Sequence, residues 1–238
     1  MLSSTPNLYF YFNRNCPYAQ RSWLTLLELG VDFEPVEIEL GKDNKTDWYC
    51  AMNPNGTVPT IKKGETIVYE SSVINEYLCE VYGNHEITLM PAESAARAHL
   101  RILISRCDAK FVKIAYSYLS HKRHDDPVKD DQLRTQLVEE LCFLDKIIAS
   151  NGSTYFLGEK ISLVDLTYIP FFERQIVALS NWKDFGIQSL NLSYLNRWLN
   201  TIFNRESYIK TKTESERIKE LYSLFLDKDY FKKVGVAK

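Results

Sequence analysis

Cys16 stands where residue types and spacing first suggest covalent chemistry. Leu8-Tyr9-Phe10-Tyr11-Phe12 is rich in aromatics, bounded by Pro6 and by Asn13-Arg14-Asn15, and reads as a strand. Pro17 suits the first position of a helix. Trp23, Leu24, Leu26 and Leu27 then recur at helical spacing up to Gly30. The thiol therefore lies where a strand hands over to a helix. Amide groups at a helix start lack partners and carry about half a positive charge, which favours an anion there. In such settings a cysteine pKa falls from about 8.5 to roughly 3.5–7.5. Arg14 and Arg21 lie close in sequence and add to the effect. A buried structural cysteine is the alternative. The residue three positions on is Ala19, so no resolving cysteine occupies the same turn. A monothiol of this kind attacks a mixed disulfide and stays linked to one half until a thiol from solution releases it.

Two further segments bear on a ligand. Asn53-Pro54-Asn55-Gly56-Thr57-Val58-Pro59 is a turn running into a strand. Pro59 removes an N–H where a ladder would use one, so it belongs at an edge or in a cis turn. In a cis turn the Val58 N–H and C=O face outwards, ready to pair with an extended peptide. An ordinary loop proline is the other reading. Ser71 suits an N-cap, and its hydroxyl with the helix-start amides could hold a carboxylate. Glu70 complements a neighbouring ammonium. A carboxylate beside an amine describes the α-amino-acid end of a peptide; a plain N-cap is again the alternative.

The elements that position these residues fall into two textures. Through about residue 82 the order is β-α-β-α-β-β-α, with strands at 8–12, 33–40, 57–61 and 66–69, a short helix at 45–52 and a helix opening at Ser71. Lys62-Lys63-Gly64-Glu65 is a tight turn joining the third and fourth strands. Residues 83–92 read as a linker. Helices are expected at 93–120, 129–150, 163–180, 191–204 and 214–226, giving an α/β domain at 1–83 and an all-helical one at 92–238.

Bulk properties exclude several classes. The chain has 238 residues, 45% hydrophobic and 25% charged, with a net charge of −2 spread along its length. No concentrated basic face supports a nucleic-acid partner, and no apolar run approaches the ~20 residues of a membrane span. Residues 1–12 read as a strand approach rather than a targeting peptide. The five cysteines are widely spaced and never form C-x-x-C, which points to a reducing, cytosolic setting without zinc or a disulfide framework. Cys50, Cys79, Cys107 and Cys142 read as packing residues, Tyr116, Tyr118, Phe171 and Phe172 as helical core, and His121 and His124 beside Asp125-Asp126 as a solvated loop rather than a metal site. Cys107, with Phe111 one turn on, is also a candidate for lining an acceptor pocket. The basic-aromatic tail from 228 to 238 reads as a frayed terminus or pocket lid.

Arg14-x-Cys16-Pro17-Tyr18-Ala19-x-Arg21 resembles the active-site segment of omega-class glutathione transferases. Asn53-Pro54-x-Gly56-x-Val58-Pro59 followed by Tyr69-Glu70-Ser71 is similar to the glutathione site across that superfamily. Ser162-x-x-Asp165, flanked by Ile161 and Leu166, matches the family's capping box and staple in its helical domain. The resemblance spans residues 8–203 and is strongest in the first 80. It implies a thioredoxin-like domain that binds glutathione as co-substrate, and a helical domain that completes the acceptor site. Cys16 would be the catalytic thiol, with Pro17 and Tyr18 beside it at the glutathione site. Val58, ahead of Pro59, would pair its backbone with the cysteinyl unit, and Glu70 and Ser71 would hold the γ-glutamyl end. Lys45, or Lys42 in its place, would meet the glycyl carboxylate. Trp198 matches a tryptophan near the omega acceptor site, with a core role as the other reading. Only 15 residues precede Cys16, fewer than the omega class carries, and the 39–44 loop is longer, so lambda-like and dehydroascorbate-reductase-like subclasses stay open. A homodimer is implied by the resemblance alone.

The expected activity is glutathione-dependent thiol transfer and reduction through the single thiol of Cys16 (deglutathionylation, dehydroascorbate reduction and reductive cleavage of glutathione conjugates), with a small disulfide or an electrophilic or oxidised molecule as partner and without a metal. The rivals are a conjugating transferase in which Tyr9 or Tyr11 stabilises the glutathione thiolate, and a non-catalytic docking module with the same fold.

Overall fold

The computed structural model describes residues 8–84, 87–150 and 152–226. The chain forms two compact units, one of the residues up to Thr88 together with the segment from Ser223 on, the other Leu89–Tyr222. The tail read as a lid lies outside the described residues.

In the first unit, β1 (Tyr9–Phe12) leads into α1 (Pro17–Glu28), β2 (Glu34–Glu37), a 3-10 turn (Asp43–Lys45) and α2 (Asp47–Met52). The hairpin β3 (Thr60–Lys63) and β4 (Thr66–Tyr69) follows, then α3 (Ser71–Tyr82). The sheet order is β2-β1-β3-β4, with β1 parallel to β2 and antiparallel to β3, which is antiparallel to β4. This is the mixed sheet of a thioredoxin-like domain. The period-2 alternation of β1 explains its layers. Phe10 and Phe12 are buried, with the Trp23 ring of α1 5.0 Å from Phe12. Tyr11 points to the opposite face, against Trp48 and Tyr49 of α2. Burying each of these phenylalanines contributes about 1.5–3 kcal/mol.

Helix α1 stops where Gly30 takes φ +64 and Val31 N–H bonds the Leu26 carbonyl, a left-handed C-terminal cap. The hairpin is tighter than its sequence suggests. Lys62 and Lys63 stay in register opposite Ile67 and Thr66, leaving the two-residue loop Gly64-Glu65, with Gly64 at φ +59 as short hairpin turns require.

The second unit is helical: α4 (Ser94–Arg106), α5 (Lys113–Ser120), α6 (Pro127–Ser150), α7 (Leu163–Lys183), α8 (Ser193–Phe203), α9 (Glu206–Thr211) and α10 (Ser215–Phe225) as far as Tyr222. The helix expected over 93–120 contains a π-helical turn at Cys107–Val112. Helix α9 escaped the sequence reading because six residues do not establish a period. Ser162 and Asp165 form the capping box of α7. Ser162 donates through both its backbone N and its Oγ to Asp165 Oδ2, at 2.8 and 2.7 Å. The buried Asp165 also accepts from Phe156 N and Trp198 Nε1 through Oδ1. Burial raises its carboxyl above the usual range, opposed by these hydrogen bonds. Burial thus works against the charged form, and the four donors are what hold it.

Candidate functional site

A short turn aims Cys16. Asn13 Oδ1 accepts Asn15 N–H, Asn13 O accepts Cys16 N–H at 3.0 Å, and Asn13 Nδ2 donates to Ile38 O. The cysteine is thereby held as the N-cap of α1, its carbonyl accepting the first helical bond from Gln20 N–H. Pro17 occupies the first helical position and is half-buried, Tyr18 is exposed, and Cys16 is half-buried. Cys16 Sγ lies 3.9 Å from the Val58 carbonyl oxygen, to which the thiol donates. The two arginines expected to support the thiol lie over aromatic rings, Arg14 over Trp23 and the buried Arg21 over Tyr18.

The Val58–Pro59 peptide is cis. The backbone N–H of Val58 donates to no described residue. Register brings the next segment alongside: Thr60 pairs with Tyr69, so Glu70 and Ser71 follow on the same edge as Val58 and Pro59. Asn55 Nδ2 donates to Glu70 Oε1 at 2.8 Å, tying the turn to the start of α3. Glu70 takes φ 69, uncommon for a non-glycine residue, and such outliers gather at ligand sites. Ser71 is buried at the first position of α3, and Glu70 rather than Ser71 occupies the N-cap. Ser71 Oγ bonds no described residue.

Lys45 closes the other side. Gly56 has φ +58, and a Cβ built there would fall 2.9 Å from Asn44 O and 3.8 Å from Lys45 Nζ. Lys42 instead pairs with Glu39 at 3.0 Å on the surface. Cys16 and Val58 thus meet at one edge of the first unit, which the turn links to Glu70 and Ser71 on one hand and to Lys45 on the other. That arrangement suits an extended peptide carrying carboxylates at its ends and a thiol between.

Three buried residues build this edge from behind, and of these only Asn53 belongs to the motifs read in the sequence. Asn44 is fully buried, donates to Gly56 O at 2.7 Å and accepts Gly41 N–H at 2.6 Å. Tyr49, also fully buried, donates to Thr57 O at 2.7 Å. Asn53 Nδ2 donates to the same oxygen at 2.8 Å. The only sequence signal of Asn44 and Tyr49 is polarity inside or beside an apolar helix.

The proposed acceptor residues sit elsewhere. Cys107, Phe111 and Trp198 are each 0% exposed. Cys107 donates to Thr167 O, Phe111 stacks on Phe172 at 4.3 Å, and Trp198 packs edge-on to Phe156 and Phe172. They form the core of the helical unit, which removes the basis for assigning them to a substrate surface. Helical period marks an inward face but cannot say whether that face meets a ligand or other side chains. Cys50, Cys79 and Cys142 are half-buried and take part in no disulfide among the described residues. His121 Nε2 meets Asp126 O and His124 meets Asp125 on the surface; among the described residues no cluster of metal-ligating side chains forms.

Comparison with known proteins agrees with this architecture. Residues 15–81 match the family described as "Glutathione S-transferase, N-terminal domain" and residues 107–206 "Glutathione S-transferase, C-terminal domain". The chain is 30% identical over 217 residues to "Glutathione S-transferase L1" of Arabidopsis thaliana, covering 91% of this chain and 86% of that protein. It is 27% identical to "Probable glutathione S-transferase DHAR2, chloroplastic" of Oryza sativa subsp. japonica, covering 83% of this chain and 65% of that protein's length. Among solved structures, glutathione transferase Omega 3C from Trametes versicolor superposes with a TM-score of 0.81 at 24% identity, covering 95% and 93% of the two chains. The chain belongs to the glutathione S-transferase family.

Proposed function

We propose that the protein is a glutathione-dependent thiol transferase and reductase that works through the single thiol of Cys16. The observation that carries this reading is the Cys16 sulfur at a helix start, 3.9 Å from the Val58 carbonyl, beside a Val58 N–H that donates to none of the described residues. Glutathione fits that edge as an added strand: Val58 pairs with its cysteinyl unit, Ser71 and Glu70 take the γ-glutamyl end, and Lys45 takes the glycyl carboxylate. In the first step the Cys16 thiolate attacks the glutathione sulfur of a mixed disulfide, forming the enzyme–glutathione disulfide and expelling the substrate thiolate. A second glutathione thiolate then attacks that disulfide, releasing oxidised glutathione and restoring Cys16. Dehydroascorbate reduction uses the same two equivalents of glutathione. The relatives named "Glutathione S-transferase L1" and "Probable glutathione S-transferase DHAR2, chloroplastic" support a glutathione-dependent activity. A cytosolic homodimer is the expected setting, and no helix of the described residues is long and apolar enough to cross a membrane.

The test compares native protein with Cys16→Ala in glutathione-dependent reduction of a mixed disulfide and of dehydroascorbate. The expected outcome is activity at least a hundredfold lower in the variant, with glutathione binding retained. Undiminished activity, or efficient aryl-halide conjugation by both proteins, would replace this reading with the tyrosine-based transferase.

A further inference from the structure

The peptide group joining Thr57 to Val58 has one end tied down and the other end open. Its carbonyl accepts two hydrogen bonds, from Tyr49 Oη at 2.7 Å and Asn53 Nδ2 at 2.8 Å. Its N–H, belonging to Val58, has no described partner. This bond is trans, since Val58–Pro59 is the one cis bond of the described chain, so its C=O and N–H point in opposite directions. Any group that fixes the carbonyl towards α2 therefore aims the amide away from α2. Two donors on one carbonyl also polarise the peptide and strengthen its N–H as a donor. We infer that Tyr49 and Asn53 are positioning residues for the thiol-bearing substrate, acting through the Thr57 carbonyl to aim and strengthen the Val58 amide that holds it.

Three features of the site support this. Both side chains are fully buried, so neither is held in place by solvent. A shared third partner, Thr60 Oγ1, meets Tyr49 Oη at 3.1 Å and Asn53 Nδ2 at 3.0 Å, which fixes both donors relative to the sheet. Asn53 also ties the turn from within, its Oδ1 accepting Asn55 N–H and its carbonyl accepting Gly56 N–H. Burial pushes the Tyr49 phenol up to about 12, with Cys16 and Tyr11 adding to it, so the hydroxyl stays a donor through the working range of any thiol enzyme. Nothing in this network touches the thiol's own substrate bond. Its effect falls on binding and orientation and leaves the sulfur's reactivity alone.

The inference rests on the proposed glutathione reading, and the experiment separates the two. Tyr49→Phe removes one donor and keeps the ring. Glutathione affinity is measured by calorimetry, KM and kcat by mixed-disulfide reduction, and intrinsic Cys16 reactivity by alkylation with iodoacetamide, which needs no glutathione. A native protein that does not bind glutathione sinks the functional reading itself. Given binding, the expected result is a rise in glutathione Kd and KM of roughly three- to tenfold, the scale of one hydrogen bond, with kcat and alkylation rate within twofold. Unchanged Kd and KM, or a loss confined to kcat, overturns the positioning role while leaving the function standing. Should the phenylalanine variant fold poorly, Asn53→Ser tests the second donor by the same split. The Val58 amide proton resonance adds a direct readout, expected to move upfield in either variant before ligand is added; an unmoved resonance counts against the proposal.

Discussion

Gly56 shows how narrow the tolerances are around the thiol. Its φ of +58 is open to glycine at little cost, and any Cβ would meet the Asn44 carbonyl at 2.9 Å. Asn44 in turn donates to the Gly56 carbonyl, so a displaced turn breaks the clamp that precedes Val58. Gly56→Ala is expected to lose about 1–2 kcal/mol of stability and to raise the glutathione KM, as measured by denaturant unfolding and steady-state kinetics. A variant as stable as the native protein with unchanged KM would show that this turn does not position the ligand edge. Glu70 has the same character. It tolerates an unfavourable φ while its carboxylate is held by Asn55, which is how a strained residue persists beside a binding edge.

At the scale of elements, helix α7 depends on one carboxylate. Asp165 is fully buried and accepts four hydrogen bonds, from Ser162 N, Ser162 Oγ, Phe156 N and Trp198 Nε1. It links the start of α7 to the 156 loop and to α8. Asp165→Ala would strand several buried donors at once, each costing about 1–3 kcal/mol. The expected loss is therefore at least about 3 kcal/mol, beyond the ~1 kcal/mol of an ordinary cap. Denaturant unfolding checks it, and a loss below 1 kcal/mol would mean that water replaces the carboxylate. The capping box was legible in Ser162-x-x-Asp165 because capping is local chemistry. The roles of Phe156 and Trp198 as partners were not, since nothing in their own neighbourhoods points to residue 165. The π-helical turn at Cys107–Val112 was equally hidden inside an unbroken helical pattern.

Across the whole molecule, buried phenols set the alkaline limit. Burial raises the pKa of Tyr49 in the first unit and of Tyr118, Tyr208 and Tyr222 in the second. Tyr208 also faces Glu173, and Tyr222 bonds Tyr116. Each is neutral when folded and ionises near 10 when unfolded. Between those values the folded state binds more protons than the unfolded one. Stability is therefore complete below pH 10 and is lost as the pH rises through the folded values. Cooperative unfolding is expected above pH 10, with these tyrosines ionising only as the fold opens, measured by tyrosinate absorbance alongside circular dichroism. Smooth tyrosinate titration ahead of any change in dichroism would contradict it. Tyr49→Phe should lessen the slope between pH 10 and about 12.

By itself the sequence determined the α/β-then-helical order, the place of Cys16 at a helix start and the Ser162–Asp165 box, and left the Val58–Pro59 bond open between a cis turn and an ordinary loop. Each of these is written in a few adjacent residues whose backbone chemistry acts over one turn or less. Only the tertiary structure decided that Tyr49, Asn53 and Asn44 converge on the backbone around Val58. It also decided that Cys107, Phe111 and Trp198 close into a core instead of lining a pocket. Periodicity states which face of a helix turns inward. What that face meets depends on contacts between residues far apart in the chain, and no local pattern carries that information.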